Sequence, residues 1–275
     1  RLIAIDALSG ARCSQFGEQG EIDLTIGMGN DPRIFNFQTS PPGIVRGNAV
    51  VGGWVFDNQS VGEPSGVVRA FDALSGEFAW AWDMGRPGVN TQPLRGEVYT
   101  RGTPNVWSLF SVDEELGLIY APTGNETPDY FGGQRMESSE QYASSIVAID
   151  GETGSVRWSY QTTHHDLWDY DVPSQPVLID LPGEDGEKIP AVLVPTKRAE
   201  VFVLNRVTGE PIFDIQELPV PQEGGVPEDY VAATQPFAVD LPNFRPELSE
   251  ENMWGVTPLD QLWCRIEFKK MRYEG

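Results

Sequence analysis

A short phrase returns along the chain and constrains its fold more than any other feature. It reads Ala4-Ile5-Asp6-Ala7-Leu8-Ser9-Gly10, then Ala70-Phe71-Asp72-Ala73-Leu74-Ser75-Gly76, then Ala148-Ile149-Asp150-Gly151-Glu152-Thr153-Gly154. A looser copy is Val203-Leu204-Asn205-Arg206-Val207-Thr208-Gly209. Each copy follows a short alternating apolar run such as Ser145-Ile146-Val147-Ala148-Ile149, and Trp80 and Trp158 stand four residues after the Gly of the second and third copies. Asp with Ser or Thr caps a turn through bonds to nearby N–H groups, and Gly supplies a positive φ. The phrase therefore predicts a strand, a tight turn and a second strand, with the aromatic placed to pack between neighbouring sheets.

One such unit per blade makes an all-β fold, a partial β-propeller of about four blades, with a β-sandwich as the alternative. The copies stand further apart than the ~40–50 residues of compact propeller repeats, so long loops are expected between strands. Helical periodicity is confined to Leu248–Trp254 and Gln261–Arg272. On the repeat alone, a binding scaffold and an enzyme are equally good readings.

Composition narrows the partners. The 275 residues carry a formal charge of −22, which excludes a nucleic-acid surface because phosphate contacts need clustered Lys and Arg. Gly 29 and Pro 22 suit many short strands joined by tight turns. Two cysteines, Cys13 and Cys264, exclude a disulfide framework and allow at most one long-range bridge. No signal peptide or membrane-spanning run is seen. Arg1 is not a start Met and Gly275 closes no element, so the chain is expected to be truncated at both ends.

Three inserted segments hold the unusual residues. The first runs from Gly52-Gly53-Trp54 through Asp57-Asn58 to Glu63-Pro64-Ser65-Gly66. The second joins Asn105-Val106-Trp107-Ser108 to Pro122-Thr123-Gly124-Asn125-Glu126-Thr127-Pro128-Asp129. The third is Thr163-His164-His165-Asp166-Leu167-Trp168-Asp169-Tyr170-Asp171, followed by Pro195-Thr196-Lys197-Arg198. Adjacent His residues diverge in regular structure and no Cys is near, which argues against zinc. Carboxylate and amide oxygens from Asp57, Asn125 and Asp169 suit a hard cation. On the residues alone Trp107 reads as one more inter-blade Trp, Asn125 as a turn residue, and Lys197 with Arg198 as solvated charge. His164 and His165 read as loop braces, and Asp166, Asp169 and Asp171 as hydrogen-bonding Asp residues.

Taken in order, these phrases resemble the pyrroloquinoline quinone (PQQ) dehydrogenases, and within them the membrane-bound glucose/quinate/shikimate group. The wording that carries the resemblance is Asp57-Asn58 with Glu63-Pro64-Ser65-Gly66-Val67, then His164-His165-Asp166-Leu167-Trp168-Asp169. Met253-Trp254-Gly255 and Met271-Arg272-Tyr273-Glu274-Gly275 complete it. The resemblance covers nearly the whole chain. It implies that residues 1–275 are part of a single eight-bladed catalytic domain. Trp107 would be the indole floor under the quinone, and Asn125 an amide ligand of Ca2+ or Mg2+. Asp169 would be the catalytic base beside the metal. Asp57 with Asn58 would supply the other metal ligands, with Glu63 as the alternative acid. Lys197 would contact the quinone oxygens, and Thr39 and Thr127 would make polar contacts to PQQ.

The resemblance further implies a sugar or polyol substrate, ubiquinone as electron acceptor, a periplasmic location and a membrane anchor upstream. The isolated residues are expected to bind PQQ poorly, because the rest of the ring is absent from them. One rival is a PQQ alcohol dehydrogenase, whose group typically covers the quinone with adjacent cysteines. Another is a non-catalytic propeller of the outer-membrane assembly lipoprotein type. The discriminating expectation is that the side chains of Trp107, Asn125, Asp169 and Lys197 converge close to the propeller axis.

Overall fold

The computed structural model describes residues 1–275 apart from Pro32, Glu184, Asp185, Pro246, Glu247, Arg272, Glu274 and Gly275. Three residues of the phrase Met271–Gly275 thus lie outside the described ones, among them Arg272, the expected end of the last helix.

Antiparallel sheets dominate, and the fold is a partial β-propeller. The first complete blade is a meander of Gly43–Val45, Asn48–Val51, Val68–Asp72 and Phe78–Trp82. The second repeats it with Ser111–Asp113, Leu118–Pro122, Ser145–Asp150 and Val156–Gln161. A third, three-stranded sheet follows from Val177–Pro182, Lys188–Pro195 and Val201–Asn205, extended by an isolated bridge between Leu204 and Pro211. The first copy of the phrase forms a small turn, closed by a bridge between Ile5 and Arg12, ahead of these blades.

The second and third copies of the phrase are the turns between the third and fourth strands of their blades, and the fourth follows the third strand of the three-stranded sheet. Asp72 Oδ1 accepts from the Ser75 N–H at 2.6 Å and the Ser75 hydroxyl at 2.8 Å, and Asp6 and Asp150 make the same pair of bonds. In the fourth copy Asn205 takes the Asp position and accepts from the Val207 N–H at 2.9 Å.

The Trp of one blade docks on the turn of the next. Trp80 Nε1 donates to the Gly151 carbonyl at 3.0 Å, and Trp158 Nε1 donates to the Arg206 carbonyl at 3.2 Å. The turn glycine is the platform: a Cβ on Gly154, at φ 72°, would lie 2.5 Å from the Trp80 ring. Gly154→Ala is therefore expected to destabilise by about 1–3 kcal/mol through overpacking and strained φ, read as a lowered urea midpoint.

The strands differ from the expected alternation. In Ser145–Asp150 the first five residues are all buried. Alternation persists in a different form, because each face meets a different blade. Ile119, Ala121, Val147 and Ile149 join a core with Val45, Val50, Val68 and Trp80 of the first blade. Leu118, Tyr120, Ile146 and Ala148 join one with Val192, Val194, Phe202 and Leu204 of the third. A sheet between two sheets has no solvent face.

Helix is scarce, as expected, although Arg33–Phe35 and Glu137–Glu140 form short turns of helix outside the two expected segments. A 3-10 turn spans Glu250–Asn252, and a helix spans Pro258–Lys270. The helix starts three residues before the expected Gln261, because Thr257 caps it: its hydroxyl accepts from the Asp260 N–H, while Asp260 accepts from the Thr257 N–H. Cys13 and Cys264 are free thiols. Among the described residues no helix is long and apolar enough to cross a membrane.

Candidate functional site

The predicted site residues occupy equivalent positions in successive blades. Asp57, Asn125 and Lys197 each lie in the connection between the second and third strands, in segments 52–67, 123–144 and 196–200. Thr39, Trp107 and Asp169 each lie just ahead of the first strand of a blade. Meander topology sends these two sets of connections to one edge of the sheets. Blade-to-blade stacking then makes neighbours of residues far apart in sequence.

Close backbone approach positions the first insert. A Cβ on Gly66 would fall 1.7 Å from the Pro104 carbonyl oxygen, so only glycine lets segment 52–67 lie against the segment leading to Trp107. Glu63 is buried and accepts from the Gln59 and Ser60 N–H groups through one oxygen. It braces the loop that presents Asp57, so the alternative acid has a structural task.

At the centre stands a residue that motif reading left without a role, Asp171. Its Oδ2 accepts from Trp107 Nε1 at 3.0 Å and Lys197 Nζ at 3.1 Å, and its Oδ1 accepts from the Asn125 N–H at 2.6 Å. Lys197 Nζ also donates to the Asp169 carbonyl at 2.8 Å and lies 3.2 Å from Asp169 Oδ1. The side chains of Trp107, Asp169 and Lys197 and the backbone N–H of Asn125 thus share one hydrogen-bonded cluster. The Asn125 amide donates to the Asp129 and Asp166 carbonyls, both at 2.9 Å, and its Oδ1 accepts from the Glu126 N–H at 2.8 Å.

Thr39 Oγ1 donates to the Trp107 carbonyl at 2.5 Å, joined there by Ser40 Oγ at 2.8 Å. Thr127 is buried and donates to the Ser60 carbonyl at 3.3 Å, tying the first insert to the second. Asn58, at φ 61°, makes a two-way bond with Asp129: it donates through Nδ2 at 2.5 Å and accepts the Asp129 N–H at 2.9 Å.

The electrostatics of the cluster are crowded with negative charge. Burial, then Asp171, pushes Asp57 up to about 6. Burial, then Asp171, pushes Asp169 to about 6 against the pull of Lys197. Burial, then Asp57, Asp169 and Asp171, pushes Asp129 up to about 8. Among the described residues no group of three or more His, Cys, Asp or Glu forms a metal cage by itself. The donor chemistry nevertheless fits a hard divalent cation: oxygens only, carboxylates mixed with amides, and mutual repulsion that a cation relieves.

The 163–171 loop is held from outside. Asp166 is fully buried and accepts from Ser144 Oγ at 2.6 Å, the Trp168 N–H at 2.9 Å and the Tyr170 N–H at 2.6 Å, which turns the chain so that Asp169 adopts φ 60°. His165 bonds Glu140 through Nδ1 and Asp229 Oδ1 through Nε2 at 2.8 Å, and its ring stacks on Tyr230 at 3.6 Å. His164 is bonded to Gln161 at 2.7 Å and Glu217 at 2.9 Å. Both histidines brace the loop, as the residues read by themselves suggested.

Burial lowers the His165 pKa, but bonds to Glu140 and Asp229 outweigh it and hold the imidazolium above the usual range. Asp229 is held low: burial raises it, and the Gly132 N–H and His165 outweigh that. A raised His contributes stability that is complete below its unfolded pKa of about 6.5 and is lost as pH rises through the folded value. A depressed Asp contributes stability above its unfolded pKa of about 3.9, lost as pH falls through the folded value. Amide protection of residues 164–166 is therefore expected to peak between these limits and decline on the alkaline side, and His165→Gln to abolish that decline in hydrogen exchange.

Against this geometry the comparisons with known proteins are decisive. The β-propeller domain family of PQQ glucose/ethanol/alcohol dehydrogenases matches residues 1–275. The chain belongs to this family. It is 46% identical over 276 residues to the glycerol dehydrogenase large subunit of Gluconobacter oxydans (strain 621H), covering 100% of this chain and 37% of that one. It is 41% identical over 277 residues to the quinate/shikimate dehydrogenase (quinone) of Acinetobacter baylyi, covering 100% of this chain and 34% of that one. The chain spans about a third of the length of these relatives. The crystal structure of a quinohemoprotein alcohol dehydrogenase from Comamonas testosteroni shares the fold at TM-score 0.60 and 24% identity, over 86% of this chain and 35% of that one.

Proposed function

We propose that residues 1–275 are part of a single propeller catalytic domain of a PQQ-dependent dehydrogenase that oxidises a sugar or polyol hydroxyl. The observation that carries this reading is the Lys197 ammonium shared between Asp169 and Asp171, while the same Asp171 oxygen holds the Trp107 indole. An inter-blade Trp that served packing alone would have no need of a lysine and two carboxylates beside it.

In this reading Trp107 offers the quinone a flat floor, and Lys197 donates to the quinone oxygens, with Thr39 and Thr127 as further contacts. Asp57, Asn58, Asn125 and Asp169 would hold Ca2+ or Mg2+. The bound quinone and cation together supply a hydride acceptor, chemistry no side chain can provide. Asp169 takes the proton of the substrate hydroxyl, for which it must be ionised. Lys197 would place its positive charge beside the quinone oxygens.

Relatives named for glycerol and for quinate/shikimate match the chain at 46% and 41%, which supports a polyol class without choosing among its members. The relative named a quinate/shikimate dehydrogenase (quinone) supports a quinone as the electron acceptor, which this reading takes to be ubiquinone, with the domain placed in the periplasm as part of an inner-membrane-anchored protein. The test is dye-linked oxidation by the whole protein, reconstituted with PQQ and Ca2+, across sugars, cyclic and linear polyols and simple alcohols. Turnover of polyols or sugars well above simple alcohols is expected. Turnover of simple alcohols alone, or no PQQ-dependent turnover, contradicts the reading.

A further inference from the structure

We propose that Asp171 is a positioning residue, which sets the tilt of the Trp107 indole and the aim of the Lys197 ammonium through one shared oxygen. The inference rests on the reading of this site as a PQQ site. It adds a residue to which neither the repeat nor the motif resemblance assigns a task.

The two oxygens of Asp171 divide the work. Oδ1 takes the Asn125 N–H at 2.6 Å and so anchors the backbone of the 123–144 insert. Oδ2 takes Trp107 Nε1 at 3.0 Å and Lys197 Nζ at 3.1 Å, and touches side chains alone. The Asp171 side chain is only 12% exposed, so little water competes for these bonds.

Trp107 has two independent holds. Its carbonyl is gripped by Thr39 and Ser40, which holds the backbone but does not by itself set the side-chain torsions. The bond from Nε1 to Asp171 fixes them, so the plane of the floor is set in advance of any ligand. Lys197 has a long flexible stem, and its other contacts are both to Asp169. Without Asp171 its ammonium would rest on Asp169 alone, drawn toward the group read as the base. Shared between the two carboxylates, it stays beside the indole. One oxygen thus couples the floor of the site to its cationic donor.

Asp171→Asn separates the two tasks. The amide keeps one oxygen for the Asn125 N–H and turns an NH2 group toward two donors that it cannot accept from. The experiment is equilibrium titration of PQQ into the whole protein in Ca2+ buffer, with Asp171→Asn made in the native background and in a Trp107→Phe/Lys197→Ala background. Loss of bonds to a charged acceptor predicts that Kd rises about tenfold or more in the native background. Where both donors are already gone, Asp171→Asn is expected to change Kd by less than about twofold, the non-additivity of residues acting through one another.

An equal loss in both backgrounds marks a merely structural residue and overturns the proposal, as does no loss in the native background. If the unaltered protein takes up no PQQ, this proposal falls together with the reading it rests on. If the unaltered protein binds PQQ and the cycle is additive, only the proposal falls. Should Asp171→Asn not fold, ultraviolet resonance Raman of the unaltered protein decides. The indole N–H band that disappears in Trp107→Phe is expected at a hydrogen-bonded frequency, and a free N–H frequency overturns the assignment.

Discussion

Asp169→Asn is expected to lower kcat for polyol oxidation by about 10²–10⁴-fold, the range a positioned general base contributes. The substitution is chosen to keep shape. Asp169 sits at φ 60°, a left-handed conformation that Asn tolerates better than most residues, so the loop has no reason to rearrange. The amide oxygen can still accept from Lys197 Nζ, now 3.2 Å from Oδ1. What disappears is the basic lone pair, so the loss belongs in kcat with PQQ uptake largely retained. The pH profile gives a second reading of the same group. Burial and Asp171 hold Asp169 at about 6, and the base works only when ionised. The native kcat/KM is therefore expected to fall on the acid side, through about 6 or lower once a cation draws the pKa down. The residual activity of Asp169→Asn should lack that limb. A variant with near-native kcat removes Asp169 from the chemistry.

Trp80→Ala is the largest expected loss of stability, about 3–5 kcal/mol, as for other buried Trp truncations. Trp80 is 1% exposed and lies in the core shared by the first two complete blades. Its removal opens a cavity against Gly154 and leaves the Gly151 carbonyl without the indole N–H that donates to it at 3.0 Å. The seam between blades, rather than one sheet, is what weakens. Trp80→Phe keeps most of the volume and loses the hydrogen bond, so its cost should be well under half as large. Equilibrium urea unfolding followed by far-ultraviolet circular dichroism separates the two variants. Equal midpoints would mean that the bond, not the packing, holds the seam.

Much of the fold is legible from local chemistry. Asp72, Ser75 and Gly76 are a complete turn by themselves, and Trp80 in the following strand announces a partner for its ring. The burial of both faces of Ser145–Asp150 is not legible, because alternation in a strand looks the same whether the second face meets water or another sheet. The candidate site divides the same way. Trp107, Asn125, Asp169 and Lys197 stand in unusual local phrases and are found by them. Asp171 and Asp129 stand in the same phrases but acquire their roles only from residues brought to them by the fold from elsewhere in the sequence: Trp107 and Lys197 for one, Asn58 for the other. The one local signal for Asp171 is its spacing two residues after Asp169, which places two carboxylates in a short loop segment. Glu63, an acid in a suggestive phrase, uses one oxygen to brace its own loop.

The central claim is that Trp107, Asp171 and Lys197 are the prepared floor and flank of a quinone site. A crystal structure of the whole protein with PQQ and Ca2+ tests it most directly. The account predicts a quinone ring in van der Waals contact with the Trp107 indole, Lys197 Nζ hydrogen-bonded to the quinone oxygens, and the cation bonded to side-chain oxygens of Asp57 and Asn125. A quinone resting on another Trp, or Lys197 turned away from its oxygens, would contradict it.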